Sequence, residues 1–313
     1  MSVPELDAAL AAYAHVAQAH YQQLYGAEAQ VVHAVQGFYG CAVILAGAAG
    51  EVVLKFSWQP GRVAKELRGL ARLTPHATVA MPTPLWHGVL AVGERECEAL
   101  LLNRLPGVAP WDVPSPWPQP ERAAAAVVAL LAAWHAQTDA RGFEGPAGEF
   151  YPALLPAFEA WTAPLAAYVA DLHSPFTPAQ RQALLALWAQ RAAILAPLAG
   201  MPSSLVHDDP HAGNFLFSPT SGELLAALDP CDVAYRHREQ DIFHLADVAP
   251  QLGLLEAYLA QYTPPAGFEA RRWFFSLWDD VKHSQNLQWY DEAWFADKLA
   301  RYEQSCADLA LAG

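Results

Sequence analysis

The stretch LVHDDPHAGNFLF, residues 205–217, decides the interpretation of this chain. It sets a short polar loop containing Asp209 and Asn214 between two apolar runs. A turn rich in Pro, Ser and Gly follows, and the next apolar run, residues 223–228, ends at Asp229. A strand, a turn and a strand of these lengths predict a hairpin. The hairpin would bring Asp229 back beside Asn214, with Asp209 at the same end.

Oxygen-bearing side chains that meet at one end of a hairpin suit a magnesium ion. Mg²⁺ is a hard cation that takes carboxylate, amide and phosphate oxygens. The residues alone leave a second interpretation open, in which a His/Asp ligand set builds a metallohydrolase centre. Its candidate ligands are His207, Asp209, His211, Asp229, His237 and His244.

Composition and charge limit the class of protein. Of the 313 residues 54% are hydrophobic and 16% charged, which excludes a disordered chain. The formal net charge of −14 argues against nucleic acid as a partner, because phosphate binding needs a basic face. It argues equally against an anionic membrane surface. Oligomeric state is left open by the sequence.

Cysteine usage and the apolar runs predict a cytoplasmic protein. The four cysteines lie far apart and form no CxxC pair, so neither a zinc site nor a disulfide framework is expected. The first residues carry acids and lack the basic region of a signal peptide. The longest strongly apolar run, residues 123–134, is too short to span a bilayer.

Periodicity changes along the chain and predicts an α+β protein with two parts. After a first amphipathic helix over 4–24, short apolar runs separated by glycines predict antiparallel strands up to about residue 102. Beyond Pro106 and Gly107 the pattern becomes mostly helical. We expect a small sheet-containing lobe over 1–104 and a larger helical lobe over 105–313.

The polar loop and the aspartate after it resemble a known family. His207-x-Asp209-x₄-Asn214, followed 15 residues later by Asp229, is similar to the catalytic loop and metal aspartate of the protein-kinase-like fold. The spacing resembles the aminoglycoside phosphotransferase and choline kinase family. The stretch from Asp229 to Asp241 is most similar to the fructosamine kinase subgroup. The resemblance implies a two-lobed fold, with an antiparallel sheet in the N-terminal lobe and a mostly helical C-terminal lobe.

The resemblance also implies an activity and roles for the loop residues. The chain would transfer the γ-phosphate of ATP to a hydroxyl of an amine- or sugar-containing substrate, with Mg²⁺ as cofactor. Asp209 would orient the attacking hydroxyl, and Asn214 and Asp229 would hold the metal. His207 would brace the loop, and Asp241 would anchor it.

The nucleotide contacts are expected in the first lobe. Lys55 lies in an otherwise apolar strand, where a lysine is costly unless it is paired or faces solvent. The resemblance implies that Lys55 contacts the α- and β-phosphates and that Glu66, 11 residues later, is its partner. The alternative is an edge-strand lysine in water and an ordinary exposed glutamate.

Two further segments complete the expected nucleotide site. Gly37 and Gly40 lie between two predicted strands, where backbone amides could contact phosphate; the alternative is a hairpin turn without a ligand. The resemblance implies an inter-lobe hinge that holds adenine through the backbone near Asn103 and Leu105.

One position departs from the family pattern. Residue 208 is Asp where the family usually has Gly, and Asp is among the residues that tolerate a positive φ. This departure and the sparse glycine loop are the support for an alternative, a nucleotide-binding member without catalytic activity.

The acceptor is expected to be a small hydroxyl-bearing molecule, cationic or sugar-like. Aromatic and acidic side chains alternate near Trp278 and Asp279, which suits cation–π contacts and hydrogen bonds. The alternative for that stretch is a helical core stripe with solvated acids.

Overall fold

The glycine-separated runs of the first hundred residues form an antiparallel sheet. In the computed structural model, which describes residues 8–312, its strands lie in the order β1-β2-β3-β5-β4. Their bounds are β1 (Ala29–Gln36), β2 (Gly40–Gly47), β3 (Gly50–Ser57), β4 (Pro84–Val92) and β5 (Arg95–Asn103). Every pair in this sheet is antiparallel, as predicted.

Apolar side chains on one face of the sheet explain why these segments are strands. Buried and partly exposed residues alternate along β2, and Val43 and Leu45 are inaccessible to solvent. Gly40 permits the close approach of β2 and β3, because a β-carbon there would collide with the Phe56 carbonyl. The register of β2 and β3 places Lys55 opposite Ala42.

Helices make up most of the remaining chain. Their bounds are α1 (Ala8–Tyr25), α2 (Arg62–Leu73), α3 (Pro120–His135), α4 (Leu154–Ala170), α5 (Pro178–Leu195), α6 (Glu239–Ile242), α7 (Leu254–Leu259), α8 (Phe268–Leu287) and α9 (Glu292–Ala312). Thr177 caps α5 in a capping box with Gln180. Residues 4–7 of the first predicted helix lie outside the described residues.

Short strands in the second half position the polar loop. They are β6 (Phe143–Glu144), β7 (Phe150–Tyr151), β8 (Ser204–Val206), β9 (Phe215–Phe217), β10 (Leu224–Ala227) and β11 (Ala234–Arg236). The predicted hairpin is confirmed as the antiparallel pair β9–β10. The pairing of β8 with β11 and the helix α4 were not predicted, since neither has a distinctive local pattern.

Helix α3 contributes many of its side chains to the core of the helical part. Its Trp134 has no solvent exposure and donates its indole N–H to the Leu73 carbonyl, joining α3 to the end of α2. Among residues 8–312, no helix combines the length and apolar character that crossing a bilayer requires. The lobe boundary between residues 104 and 105 stays a prediction.

Candidate active site

The loop between β8 and β9 carries the polar residues that the sequence singled out. The side-chain amide of Asn214 donates to the Asp209 backbone carbonyl at 2.7 Å and to its carboxylate at 3.1 Å. The backbone N–H of Leu228 donates to the Asn214 carbonyl at 2.8 Å, and Asp229 follows directly. The hairpin therefore brings Asp209, Asn214 and Asp229 to one end, as expected.

Asp241, in the first turn of α6, holds the start of this loop. Its carboxylate accepts the backbone N–H groups of His207 at 2.8 Å and Asp208 at 2.7 Å. It also accepts the imidazole N–H of His135 at 2.9 Å. Burial opposes ionisation, yet His135 and these donors hold the pKa of Asp241 below its ordinary value. A buried carboxylate so supported stabilises one conformation of the loop.

Lys55 joins the two lobes through carboxylates. Its Nζ lies 2.8 Å from both Glu66 oxygens and 2.7 Å from Asp229 Oδ1. Glu66 is buried on α2, whereas half of the Asp229 side chain is exposed. The predicted pair of Lys55 and Glu66 is present, and Asp229 is a third member that the sequence did not suggest.

Lys55 and Asp229 each favour the charged form of the other. Burial alone would lower the pKa of Lys55, but the Asp229 and Glu66 carboxylates raise it above its ordinary value. Burial likewise opposes ionisation of Asp229, but the Lys55 ammonium outweighs this effect and lowers the pKa of Asp229. The Lys55 ammonium and the Asp229 carboxylate are therefore both charged at neutral pH. Such a pair suits phosphate and cation ligands, respectively.

A cavity of about 350 Å³ lies between the sheet and the polar loop. It brings together predicted site residues from both lobes: Gly37, Gly40, Lys55, Glu66, Asp209, Asn214 and Asp229. Nearly half of the Asp209 side chain is exposed to this cavity. A volume of this size accommodates part of a nucleotide or a small substrate.

The two residues expected at the inter-lobe hinge lie outside the main cavity. Asn103 already donates its backbone N–H to the Thr83 carbonyl, and its side-chain oxygen accepts the Thr83 N–H at 2.6 Å. Leu105 borders a separate cleft with Glu51 and Arg104. Neither residue lines the main cavity, so their contact with adenine stays a prediction.

The glycine loop joins the helical lobe through its neighbour Tyr39. The Tyr39 hydroxyl bonds to Nδ1 of His283 on α8 at 2.7 Å, and the Arg62 guanidinium covers its ring at 3.8 Å. The Gly37 N–H closes the hairpin onto the Gly40 carbonyl. Nothing in the sequence distinguished Tyr39 or His283 from ordinary surface residues.

Three histidines of the alternative metal site have other contacts or lie elsewhere, whereas His211 lines the cavity with its Nε2 3.5 Å from Asp209 Oδ1. His207 bonds through Nε2 to the Leu228 carbonyl, and His244 bonds to Asp247 and to the Asp208 carbonyl. His237 is buried outside the cavity, and burial lowers its pKa to about 3. Within residues 8–312, no group of three or more His, Cys, Asp or Glu side chains is arranged to hold a metal ion.

Asp208 is the member of the loop that the sequence left ambiguous. It has a φ of 81°, the left-handed conformation for which the family's usual glycine is suited. Its buried carboxylate pairs with Arg236 of β11 and, at 3.1 Å, with Lys282 of α8. Asp is among the non-glycine residues that tolerate this conformation, and its side chain here has two cationic partners.

Comparisons with known proteins agree with this geometry. The family model described as "Phosphotransferase enzyme family" matches residues 5–274. The chain belongs to this family. The enzyme class expected from the sequence, a phosphotransferase, is confirmed by this membership.

The individual relatives share little sequence identity with this chain. YcbJ, an uncharacterized protein of Escherichia coli K12, is 28% identical over 235 residues, 72% of this chain and 76% of that protein. A fructosamine-3-kinase-like protein from Haemophilus somnus 129PT superposes with a TM-score of 0.67 at 13% identity, covering 93% of this chain and 97% of that one. The GDP complex of aminoglycoside 2'-phosphotransferase-IIIa gives 0.64 at 16% identity, with 93% and 99% covered.

These structural likenesses establish the fold of this phosphotransferase. A microcompartment-associated aminopropanol kinase also superposes, with a TM-score of 0.60 at 15% identity over 95% of this chain and 96% of that one. The two-lobed kinase-like fold expected from residues 205–241 is confirmed.

Proposed function

We propose that this protein is an ATP- and Mg²⁺-dependent small-molecule kinase that transfers the γ-phosphate to a substrate hydroxyl. The observation that carries the proposal is the meeting of Lys55, Glu66 and Asp229 within hydrogen-bond distance, in the cavity that also exposes Asp209. Phosphoryl transfer depends chiefly on positioning and charge neutralisation, and this cluster provides both.

The nucleotide would lie with its phosphates at Lys55. The Lys55 ammonium has three donors and would bind phosphate oxygens, while Glu66 keeps the side chain extended into the cavity. The loop from Gly37 to Gly40 borders the same space. Adenine recognition near Asn103 and Leu105 is part of the proposal.

Asn214 and Asp229 are the residues that would hold the metal. The test of fit is their chemistry. The Asn214 amide nitrogen donates to Asp209, so its side-chain oxygen is the atom left to bind a cation, and Asp229, whose pKa is lowered, is half exposed. Amide and carboxylate oxygens are ligands that Mg²⁺ accepts. When bound, the ion would neutralise charge on the phosphate oxygens.

Asp209 would act on the acceptor. Its carboxylate would accept the hydrogen bond of the substrate hydroxyl and orient the oxygen for in-line attack on the γ-phosphorus. As the new O–P bond forms, the bond from phosphorus to the bridging oxygen breaks and ADP leaves. The hydroxyl proton passes to Asp209, which Asn214 holds in place at 3.1 Å.

The experiment is to follow ADP release from Mg·ATP with a panel of fructosamines, aminoglycosides, choline, free sugars, sugar carboxylates and sugar phosphates. Acceptor-dependent release that requires Mg²⁺ and disappears in Asp209→Asn supports the proposal. Nucleotide binding without release on any acceptor would favour the non-catalytic alternative. Absence of nucleotide binding would contradict both.

A further inference from the structure

A second cavity, of about 240 Å³, adjoins the first beside the polar loop. The two cavities share Asp208, Asp232, Asp279 and Lys282. Asp208, next in sequence to the proposed base Asp209, lines both cavities, whereas Asp209 and Lys55 line only the first. We take the second cavity as the space from which an acceptor reaches Asp209 across this shared wall, and the inference below rests on the proposed function.

One aromatic face of the second cavity, the ring of Trp161, is already covered by a cation. The guanidinium of Arg236 lies 4.0 Å above the ring of Trp161, and both residues line the second cavity. Arg236 is held there by its ion pair with Asp208. An ammonium ligand would have to displace a cation of the chain itself from this aromatic surface.

The carboxylates of the cavity are likewise engaged. Asp208 pairs with Arg236 and Lys282, and Asp279 lies 2.6 Å from Lys282. Asp232 lies 2.7 Å from Lys65, and although burial opposes its ionisation, Lys282 and Lys65 lower its pKa to about 2. Each of these three acids therefore already has a cationic partner within the chain.

Some hydrogen-bond donors of the second cavity have no acceptor. Arg236 Nε and Trp278 Nε1 are both buried and find no acceptor among the described residues. Buried donors without partners are rare in folded proteins, and each one is a place where a ligand or water oxygen is expected. Lys65, whose side chain is 44% exposed, adds a cation at the cavity wall with donors to spare.

We propose that the second cavity binds the acceptor through an anionic group, a carboxylate or a phosphate monoester. The substrate is then a small hydroxylated anion, whose charged end faces Arg236, Lys65 and Trp278 while its hydroxyl lies toward Asp209. An amine such as choline or an aminoglycoside is disfavoured at this site.

A series of sugars of one ring size tests the charge preference. Glucosamine, glucose, glucuronate and glucose 6-phosphate carry a cation, no charge, a carboxylate and a phosphate. We would titrate each into the protein by calorimetry, with and without Mg·ADP. The two anions are expected to bind at least tenfold more tightly than glucosamine, and the comparison between them tells carboxylate from phosphate.

Two variants, each lacking one positive charge, test whether the preference for anions arises in the second cavity. Lys65→Gln removes a cation from the cavity wall, and Arg68→Gln removes one from an exposed position of the same helix. Lys65→Gln should weaken anion binding severalfold, and Arg68→Gln should leave it unchanged. Circular dichroism confirms that both variants fold.

Three results would overturn the inference: glucosamine bound as tightly as the anions, no binding of either anion, or equal effects of the two variants. The Mg·ADP titration of the unmodified protein separates these from a failure of the proposed function. If Mg·ADP binds while the anions do not, the acceptor class is wrong and the kinase assignment stands. If Mg·ADP itself fails to bind, the kinase assignment is wrong.

Discussion

Lys55 and Asp229 meet across the cleft, with Nζ 2.7 Å from Oδ1, although 174 residues separate them. One lies in the centre of the N-terminal sheet and the other follows the β9–β10 hairpin of the helical lobe. The contact places the cation proposed for the phosphates beside the carboxylate proposed for the metal. The closeness of these two groups links nucleotide binding to the relative position of the lobes.

Lys55→Met should weaken binding of Mg·ATP. A hydrogen bond to a charged group contributes about 1.5–3 kcal/mol, so the loss should be roughly tenfold or more. Calorimetric titration of the variant measures it. Arg68→Gln, an exposed change of the same charge, is the control; equal affinities in the two variants would contradict the role of Lys55.

Asp209→Asn should abolish phosphoryl transfer and leave Mg·ATP binding nearly unchanged. The amide cannot take the hydroxyl proton, whereas the contacts of Lys55 and Asp229 are untouched. ADP release with an accepted substrate falls by roughly 100-fold or more if the base is lost. Full turnover in the variant would show that Asp209 is not the base.

Asp241→Ala should destabilise the fold strongly. It would leave two backbone N–H groups, those of His207 and Asp208, and the His135 imidazole without their buried acceptor. We expect a loss of about 3 kcal/mol or more in the free energy of unfolding. Urea unfolding measures it, with exposed Asp171→Ala as the control, and a loss under about 1 kcal/mol would contradict the anchoring role.

His244 should make stability depend on pH in the alkaline range. Burial opposes its charge, but the hydrogen bond to Asp247 and the charges of Asp209 and Asp279 raise its pKa from 6.5 to about 9. Because the folded pKa is the higher one, the stabilisation is complete below about pH 6.5 and is lost as the pH rises through about 9.

The measurement for His244 is urea unfolding of the unmodified protein and His244→Gln at several pH values. The difference in unfolding free energy between them should be on the order of 3 kcal/mol near pH 6 and should shrink toward pH 10. Exposed His173→Gln should show no such trend. A difference that is constant across this range would contradict the assignment of charge to His244.

The sequence predicted the parts of the site that depend on local spacing. The loop with Asp209 and Asn214 and the hairpin to Asp229 follow from alternating apolar and polar residues over 25 positions, 205–229. The pair of Lys55 and Glu66 followed from the family resemblance, because the residues alone also allowed an edge-strand lysine in water. Family resemblance supplied the roles that spacing alone left open.

Long-range electrostatics could not be predicted in the same way. Asp208 looked like a substitution for glycine, and only the fold shows that Arg236 and Lys282 converge on it from β11 and α8. The same holds for Tyr39 and His283, which meet because the two lobes close on each other. The residues next to these side chains in the sequence form no distinctive pattern. Their contacts therefore could not be predicted locally.

Titration of Mg·ATP into the unmodified protein and Asp229→Ala tests the central claim most directly. The account predicts that binding by the unmodified protein requires Mg²⁺ and that Asp229→Ala loses this dependence, since a proposed metal ligand has been removed. Equal, Mg²⁺-dependent affinities in the two proteins would contradict the assignment of the metal site, and the absence of nucleotide binding in the unmodified protein would contradict the kinase itself.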